Sequence, residues 1–268
     1  MSVRASRPSD RGPLLVAEHL QMIFGSADSR LEALEEATFS VMPNEFVCII
    51  GPSGCGKSTL LRILGGLVVP TGGRILLGGE PLTEPQQRIG VVFQHHNLMP
   101  WRTTLANVRL PLEIQRVPRD EADQRALAML DLVDLRDFAD ALPRDLSGGM
   151  LQRVALAREL VYNPDVLLLD EPFGALDALT REQLNWELLR IWQARRTTVV
   201  MITHSIQEAV FLSDRVLVMS PRPGSIECEV AIDLPRPRST DDLYAPRFLE
   251  LSRTLRAALM QESESPCR

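Results

Sequence analysis

Phe46-Val47-Cys48-Ile49-Ile50-Gly51-Pro52-Ser53-Gly54-Cys55-Gly56-Lys57-Ser58-Thr59-Leu60-Leu61 is the stretch whose reading decides the fold. Five apolar residues in a row read as a buried strand. Gly51 to Ser58 then fit GxxxxGK[ST], in which glycines let backbone N–H groups crowd a phosphate. The apolar run from Thr59 to Leu67 predicts a helix, whose N-terminus adds positive potential to the loop. In such a loop Lys57 reaches the β- and γ-phosphates and the Ser58 hydroxyl ligates Mg²⁺. Cys55 has no base beside it in sequence and reads as a small filler residue.

Composition sharpens that reading. Of the 29 Lys and Arg residues, Lys57 is the only lysine. A position that keeps a compact ammonium against an arginine background needs one. The chain has 268 residues, 45% hydrophobic and 24% charged, with a net charge of −6. This is the mix of a globular protein with one large domain, not of a disordered chain or a disulfide scaffold. The acidic balance disfavours nucleic acid as a partner. No run approaches the roughly 18–20 apolar residues of a membrane span. Residues 1–13 carry Arg4, Arg7 and Arg11 without an apolar segment and read as a polar tail. The four cysteines lack metal-binding spacing and suggest reduced thiols.

Outward from the loop, Val16 to Phe24, Glu35 to Met42, Gly72 to Leu82 and Ile89 to Phe93 predict further strands. Thr104 to Gln115, Arg119 to Val133 and Gly148 to Tyr162 show helical spacing, punctuated by Pro100, Pro118 and Pro143, and predict an inserted helical subdomain over about 99–162. Strands then alternate with helices. Val166 to Leu169, Thr198 to Ile202 and Val216 to Met219 are separated by helices at about Ala178 to Ala194 and Ser205 to Ser213. That alternation predicts an α/β fold with a mostly parallel sheet covered on both faces. After Pro221 the chain is rich in Pro and Arg, and residues 239–268 predict a tail with an amphipathic helix from Leu243 to Met260.

Three further groups carry chemistry. Val166 to Leu169 run into Asp170-Glu171, and in a parallel sheet the C-terminal strand end faces the ligand crevice. There Asp170 would help hold Mg²⁺ and Glu171 would act as general base on an attacking water. Ser147 caps a helix that opens on Gly148-Gly149, a second anion-binding helix end in one chain. Since one phosphate tail already has a cradle, this second end suggests a site completed between two copies. His95-His96 are strand neighbours that face opposite sides, so they form no joint metal site.

The order of the Lys57 loop, Gln94, Leu146-Ser147-Gly148-Gly149, Asp170-Glu171, Ala175-Leu176-Asp177 and His204 resembles ATP-binding cassette (ABC) ATPases over roughly residues 14–238. Within the family, Phe93-Gln94, Leu98-Met99-Pro100-Trp101, Asp170 to Asp177 and Leu234-Pro235-Arg236-Pro237-Arg238 resemble the nitrate, sulfonate and taurine importers. The resemblance implies a P-loop NTPase (RecA-like) core with an antiparallel β subdomain and the inserted helices. It implies ATP and Mg²⁺ bound by Gly51, Pro52, Ser53, Gly54, Cys55, Gly56, Lys57, Ser58 and Thr59, with Phe24 stacked on adenine. Gln94 would sit near Mg²⁺ and the attacking water, and His204 would contact the γ-phosphate. Ser147, Gly148 and Gly149 would meet the nucleotide of the other copy, with Asp177 at the dimer interface. The implied partners are a second copy, transmembrane permease subunits and an extracytoplasmic solute-binding protein, at the cytoplasmic face of the inner membrane.

Three positions depart from the family pattern. Met150 stands where many members have Gln, Phe24 where Tyr is common, and Asn44 where Gly is frequent. Two alternatives stay open. An ABC ATPase acting on nucleic acid or ribosomes usually carries a long coiled coil or a second cassette; here Lys57 and Ser147 are 90 positions apart (147 − 57) and one cassette is visible. A subunit that binds ATP without hydrolysing it would not need both Glu171 and His204.

Overall fold

The computed structural model describes residues 12–25 and 30–260. The chain begins with two antiparallel strands, β1 (Leu15–Phe24) and β2 (Leu31–Val41). A turn with Asn44 at φ 63° leads into β3 (Phe46–Ile50). Asn tolerates the left-handed region better than most residues, so the Gly-to-Asn departure is accommodated there. Then follow α1 (Lys57–Leu64), β4 (Gly72–Leu77), β5 (Glu80–Pro81) and β6 (Ile89–Val92). Three helices come next, α2 (Thr104–Ile114), α3 (Arg119–Leu132) and α4 (Gly148–Leu160), packed against one another. β7 (Val166–Asp170), α5 (Ala178–Arg195), β8 (Thr198–Ile202), α6 (Ile206–Leu212), β9 (Arg215–Met219), β10 (Gly224–Ala231) and α7 (Pro246–Met260) complete the order.

Among the described residues the ten strands form one sheet in the order β5-β4-β1-β2-β10-β9-β3-β8-β7-β6. The segment β9-β3-β8-β7-β6 is parallel throughout. The period-2 alternation of its strands feeds two cores. Phe46, Cys48 and Ile50 of β3 join the core under α2–α7, while Val47 and Ile49 join the core under α1 and the antiparallel strands. Leu167 and Leu169 of β7 divide from Val166 and Leu168 in the same way. Burial on both faces is why these strands read as unbroken apolar runs.

Several elements differ from expectation. α1 begins two residues early, because Gly56 is the N-cap and Lys57 is already helical; it ends at Gly65-Gly66, where Gly66 takes φ 69°. β10 lies in the stretch after Pro221, where no strand is predicted, although Ile226, Cys228 and Val230 alternate with Glu227 and Glu229 as in a half-buried strand. It pairs with β9 on one side and β2 on the other, so it joins the parallel and antiparallel parts of the sheet. The Pro- and Arg-rich segment is a strap. Arg238, buried, donates to the carbonyls of Phe211 and Ser213 at 2.8 and 2.7 Å, closing the end of α6, and Arg236 lies 4.2 Å from the ring centroid of Trp192. The final helix starts at Pro246 rather than Leu243, after a 3-10 turn at Thr240–Tyr244. Among the described residues no helix is long and apolar enough to cross a membrane. Most of the predicted N-terminal tail (1–11) and the end of the C-terminal tail (261–268) lie outside the described residues.

Candidate nucleotide site

β3 delivers the Gly51–Ser58 loop to the C-terminal edge of the parallel sheet, between β8 and β9. The loop closes onto α1, where Gly54 and Gly56 take φ of 78° and 104°. A Cβ at Gly56 would also lie 2.6 Å from the Ala33 carbonyl, so glycine is required there twice over. The first intrahelical bond runs from Leu60 N to Gly56 O (2.8 Å), which leaves the amides of Lys57, Ser58 and Thr59 at a bare helix end. These are the donors an anion needs.

Lys57 is 5% exposed, and its Nζ donates to Gly51 O (3.0 Å) and Pro52 O (2.8 Å). The ammonium therefore braces the loop from inside, with carbonyls as partners that a phosphate oxygen can replace. Cys55 Sγ lies 3.8 Å from Lys57 Nζ and 3.0 Å from where a Gly51 Cβ would stand, so the thiol fills the loop's inner side.

Asp170 and Glu171 part at the end of β7. Asp170 stays in strand geometry, is buried, and accepts from Ser58 Oγ at 3.1 Å. Burial pushes its carboxyl up, and the Ser58 hydroxyl partly offsets this. A hydroxyl and a desolvated carboxylate are hard oxygen donors, the set that suits a small divalent cation such as Mg²⁺. Glu171 takes φ 46°, a left-handed conformation that costs a non-glycine residue on the order of 1–3 kcal/mol. The amide of Glu171 donates to Ile202 O (3.0 Å), and its Oε1 lies 2.6 Å from His204 Nε2. A carboxylate fixed by a neighbouring imidazole has the geometry a general base needs, with an orienting group in place.

A cavity of about 270 Å³ brings together Phe24, Ser53, Gly54, Gly56, Lys57, Ser58, Thr59, Glu171 and His204. Ser147, Gly148, Gly149 and Asp177 do not line it. Ser147 Oγ accepts from Met150 N (3.3 Å) and caps α4, and Asp177 caps α5 through Thr180 N (3.1 Å). A Cβ at Gly149 would lie 2.9 Å from Thr180 Cγ2 and force a shift there, so the two capped helix ends are packed together. Ser147, Gly148 and Asp177 are exposed, and beside them Leu179 is 75% exposed. Gln94, two residues past β6, is exposed and hydrogen-bonded to nothing among the described residues. A larger open cavity, near 1010 Å³, lies at the opposite edge of the sheet, around Asn44, Asp165 and Thr198. That is the N-terminal end of the strands, away from the ligand crevice of an α/β sheet.

Two groups near the site were not predicted. Arg222 lines the same cavity as Lys57. Behind Glu171, Thr203 Oγ1 donates to Glu208 Oε2, and Arg181 Nε lies 3.8 Å from Glu208 Oε1. Arg181 also donates to the carbonyls of Phe173 (3.2 Å) and Leu176 (2.8 Å). This network joins the segment after Glu171 to the loop that carries His204. Burial pushes the Glu208 carboxyl up. No spacing rule marks Arg181 or Glu208; for Arg222 the signal was the Ser220–Gly224 turn cluster.

The family profile described as ABC transporter matches residues 34–174. The taurine import ATP-binding protein of Rhizobium johnstonii is 45% identical over 252 residues, which cover 92% of this chain and 96% of that one. The nitrate import ATP-binding protein of a Synechocystis strain is 43% identical over 256 residues, with coverage of 92% and 96%. A solved dimeric ATP-binding cassette in a post-hydrolysis state, bound to ADP and Pi, superposes with a TM-score of 0.72 at 34% identity, covering 82% of this chain and all of that one. With identity of that order across nearly the whole length of its relatives, and a phosphate loop facing a carboxylate–imidazole pair, this chain belongs to the ABC transporter family as one of its ATP-binding subunits.

Proposed function

We propose that the chain is the ATPase subunit that powers a membrane importer of a small oxyanion or sulfonate, working as a pair of identical copies with one ATP at each seam. The observation that carries the ATPase reading is the single cavity shared by Lys57, the N-terminus of α1, Glu171 and His204. The importer reading rests on relatives named for taurine and nitrate import.

In this reading the backbone N–H groups between Ser53 and Thr59 hold the triphosphate and Lys57 turns from the Gly51 and Pro52 carbonyls to the β- and γ-phosphates. Phe24, 40% exposed at the cavity mouth, offers its ring to adenine. Ser58 and Asp170 would hold Mg²⁺, with Gln94 near them, and there the ion would supply positive charge to the phosphate oxygens. Glu171 takes a proton from the attacking water. His204 fixes the Glu171 carboxylate and, with its ring 45% exposed, can also face the γ-phosphate.

The pairing is supported by the exposed Ser147, Gly148 and Asp177, by the uncovered Leu179 beside them, and by the dimeric form of the solved cassette. In the pair, Ser147, Gly148 and Gly149 of one copy close on the γ-phosphate held by the other. Ser147→Arg puts a long cation where that phosphate must approach. ATP turnover is expected to fall on the order of 10²-fold or more, while ATP binding by the single copy stays within about twofold. Full turnover in that variant would remove the shared site.

Import also requires partners: permease subunits in the membrane, a solute-binding protein on its far side, and this chain at the cytoplasmic face. Co-purification should return multispan subunits, and ATP-dependent uptake by the assembled complex should respond to a sulfonate or small oxyanion. Recovery with nucleic acid or ribosomes instead would favour the non-transport alternative.

A further inference from the structure

We infer that Arg222, in the β9–β10 hairpin, is a positioning residue of the phosphate loop, a role that rests on the loop being the ATP cradle. Its guanidinium grips the loop from outside while the Lys57 ammonium braces it from inside. Arg222 Nε and Nη2 both donate to Gly54 O, at 2.9 and 2.7 Å. A loop that aims its amides inward at a phosphate must turn some carbonyls outward, and Gly54, in the left-handed region, is where this loop does so. Two donors of one rigid fork on one carbonyl fix both its position and its orientation.

The hairpin that carries Arg222 is itself held firmly. Ser220 N donates to Ser225 O (3.0 Å), and Ser220 Oγ donates to Pro223 O (3.1 Å) and accepts from Ser225 N (2.8 Å). Independently of Arg222, the hairpin is pressed against the loop backbone. A Cβ at Gly224 would lie 2.1 Å from Cys55 O, closer than any side chain can come. Arg222 is exposed, so the fold does not depend on burying it, yet it lines the same cavity as Lys57 and Ser58. An exposed arginine fork closed on one carbonyl at the phosphate cavity presets the loop for phosphate, and its removal acts on nucleotide affinity rather than on the chemical step.

The test compares the wild-type chain with Arg222→Ala and Arg222→Lys, using MgATP and MgADP binding by calorimetry and steady-state ATPase kinetics. For Arg222→Ala, Kd for both nucleotides and KM for ATP are expected to rise about tenfold by the same factor, with kcat within about twofold. Arg222→Lys, which restores one donor without the fork, should recover part of the loss. Equal affinities in wild type and Arg222→Ala would overturn the inference, as would a fall in kcat at unchanged KM. A loss confined to ATP would also overturn it, since that would mark contact with the γ-phosphate rather than support of the loop. If wild type itself binds no MgATP, the ATP-site reading fails; if wild type binds and Arg222→Ala matches it, only the role of Arg222 fails.

Discussion

Lys57→Ala is expected to abolish nucleotide binding and turnover together. The ammonium is buried, sits at the start of α1, and spends its hydrogen bonds on the loop's own carbonyls at Gly51 and Pro52. Truncation removes both the brace of the loop and the cation that meets the phosphates. Each charge-assisted hydrogen bond lost is worth about 1.5–3 kcal/mol, so two of them weaken ATP binding on the order of 10²-fold or more. Loss of the charge that stabilises the transferring phosphoryl lowers turnover by a further factor on the order of 10²–10³. Lys57→Arg is not expected to rescue, because the inner side of the loop is filled by Cys55 Sγ and admits a compact ammonium, not a planar fork. Calorimetric titration with MgATP and a phosphate-release assay measure the two losses; unchanged ATPase activity would refute the loop assignment.

Glu171→Gln separates binding from chemistry. The amide keeps the shape of the carboxylate at a backbone position held by the Glu171 N–Ile202 O bond, so the left-handed turn at the end of β7 is retained. What is lost is the capacity to accept a proton from water, worth about 10²–10⁴ in rate. ATP affinity should stay within a few-fold of wild type, because Lys57, Ser58 and the α1 amides are untouched. Unhydrolysed ATP should then hold two copies together, visible as a shift to dimer mass in size-exclusion with light scattering. A variant that hydrolyses ATP at the wild-type rate would show that Glu171 is not the base.

How far the sequence reached depended on how local each signal was. The phosphate loop and α1 were legible because a buried strand, a glycine pattern and a helix start are all encoded within Phe46 to Leu64. The parallel strands were legible because burial on both faces writes them as continuous apolar runs, such as Val166 to Leu169. β10 was overlooked: its period-2 signal, Ile226, Cys228 and Val230 alternating with Glu227 and Glu229, is short and sits inside a Pro- and Arg-rich stretch. Nor could sequence show that Asp170 and Glu171 part company. Their divergence goes with the φ of 46° at Glu171, whose amide is bonded to Ile202 O on β8. The Glu171–His204 contact, the Arg222 grip on Gly54 and the Arg181–Glu208 ion pair join positions from 27 to 168 residues apart. Such pairings exist only once strand order is known.

The most direct measurement is a crystal structure of Glu171→Gln grown with MgATP. In it a triphosphate is expected over residues 51–59, with Lys57 Nζ moved from the Gly51 and Pro52 carbonyls to the β- and γ-phosphates, and Ser147 of a second copy at the γ-phosphate. ATP bound elsewhere, or a Lys57 ammonium still bonded only to its own loop beside bound nucleotide, would contradict that expectation.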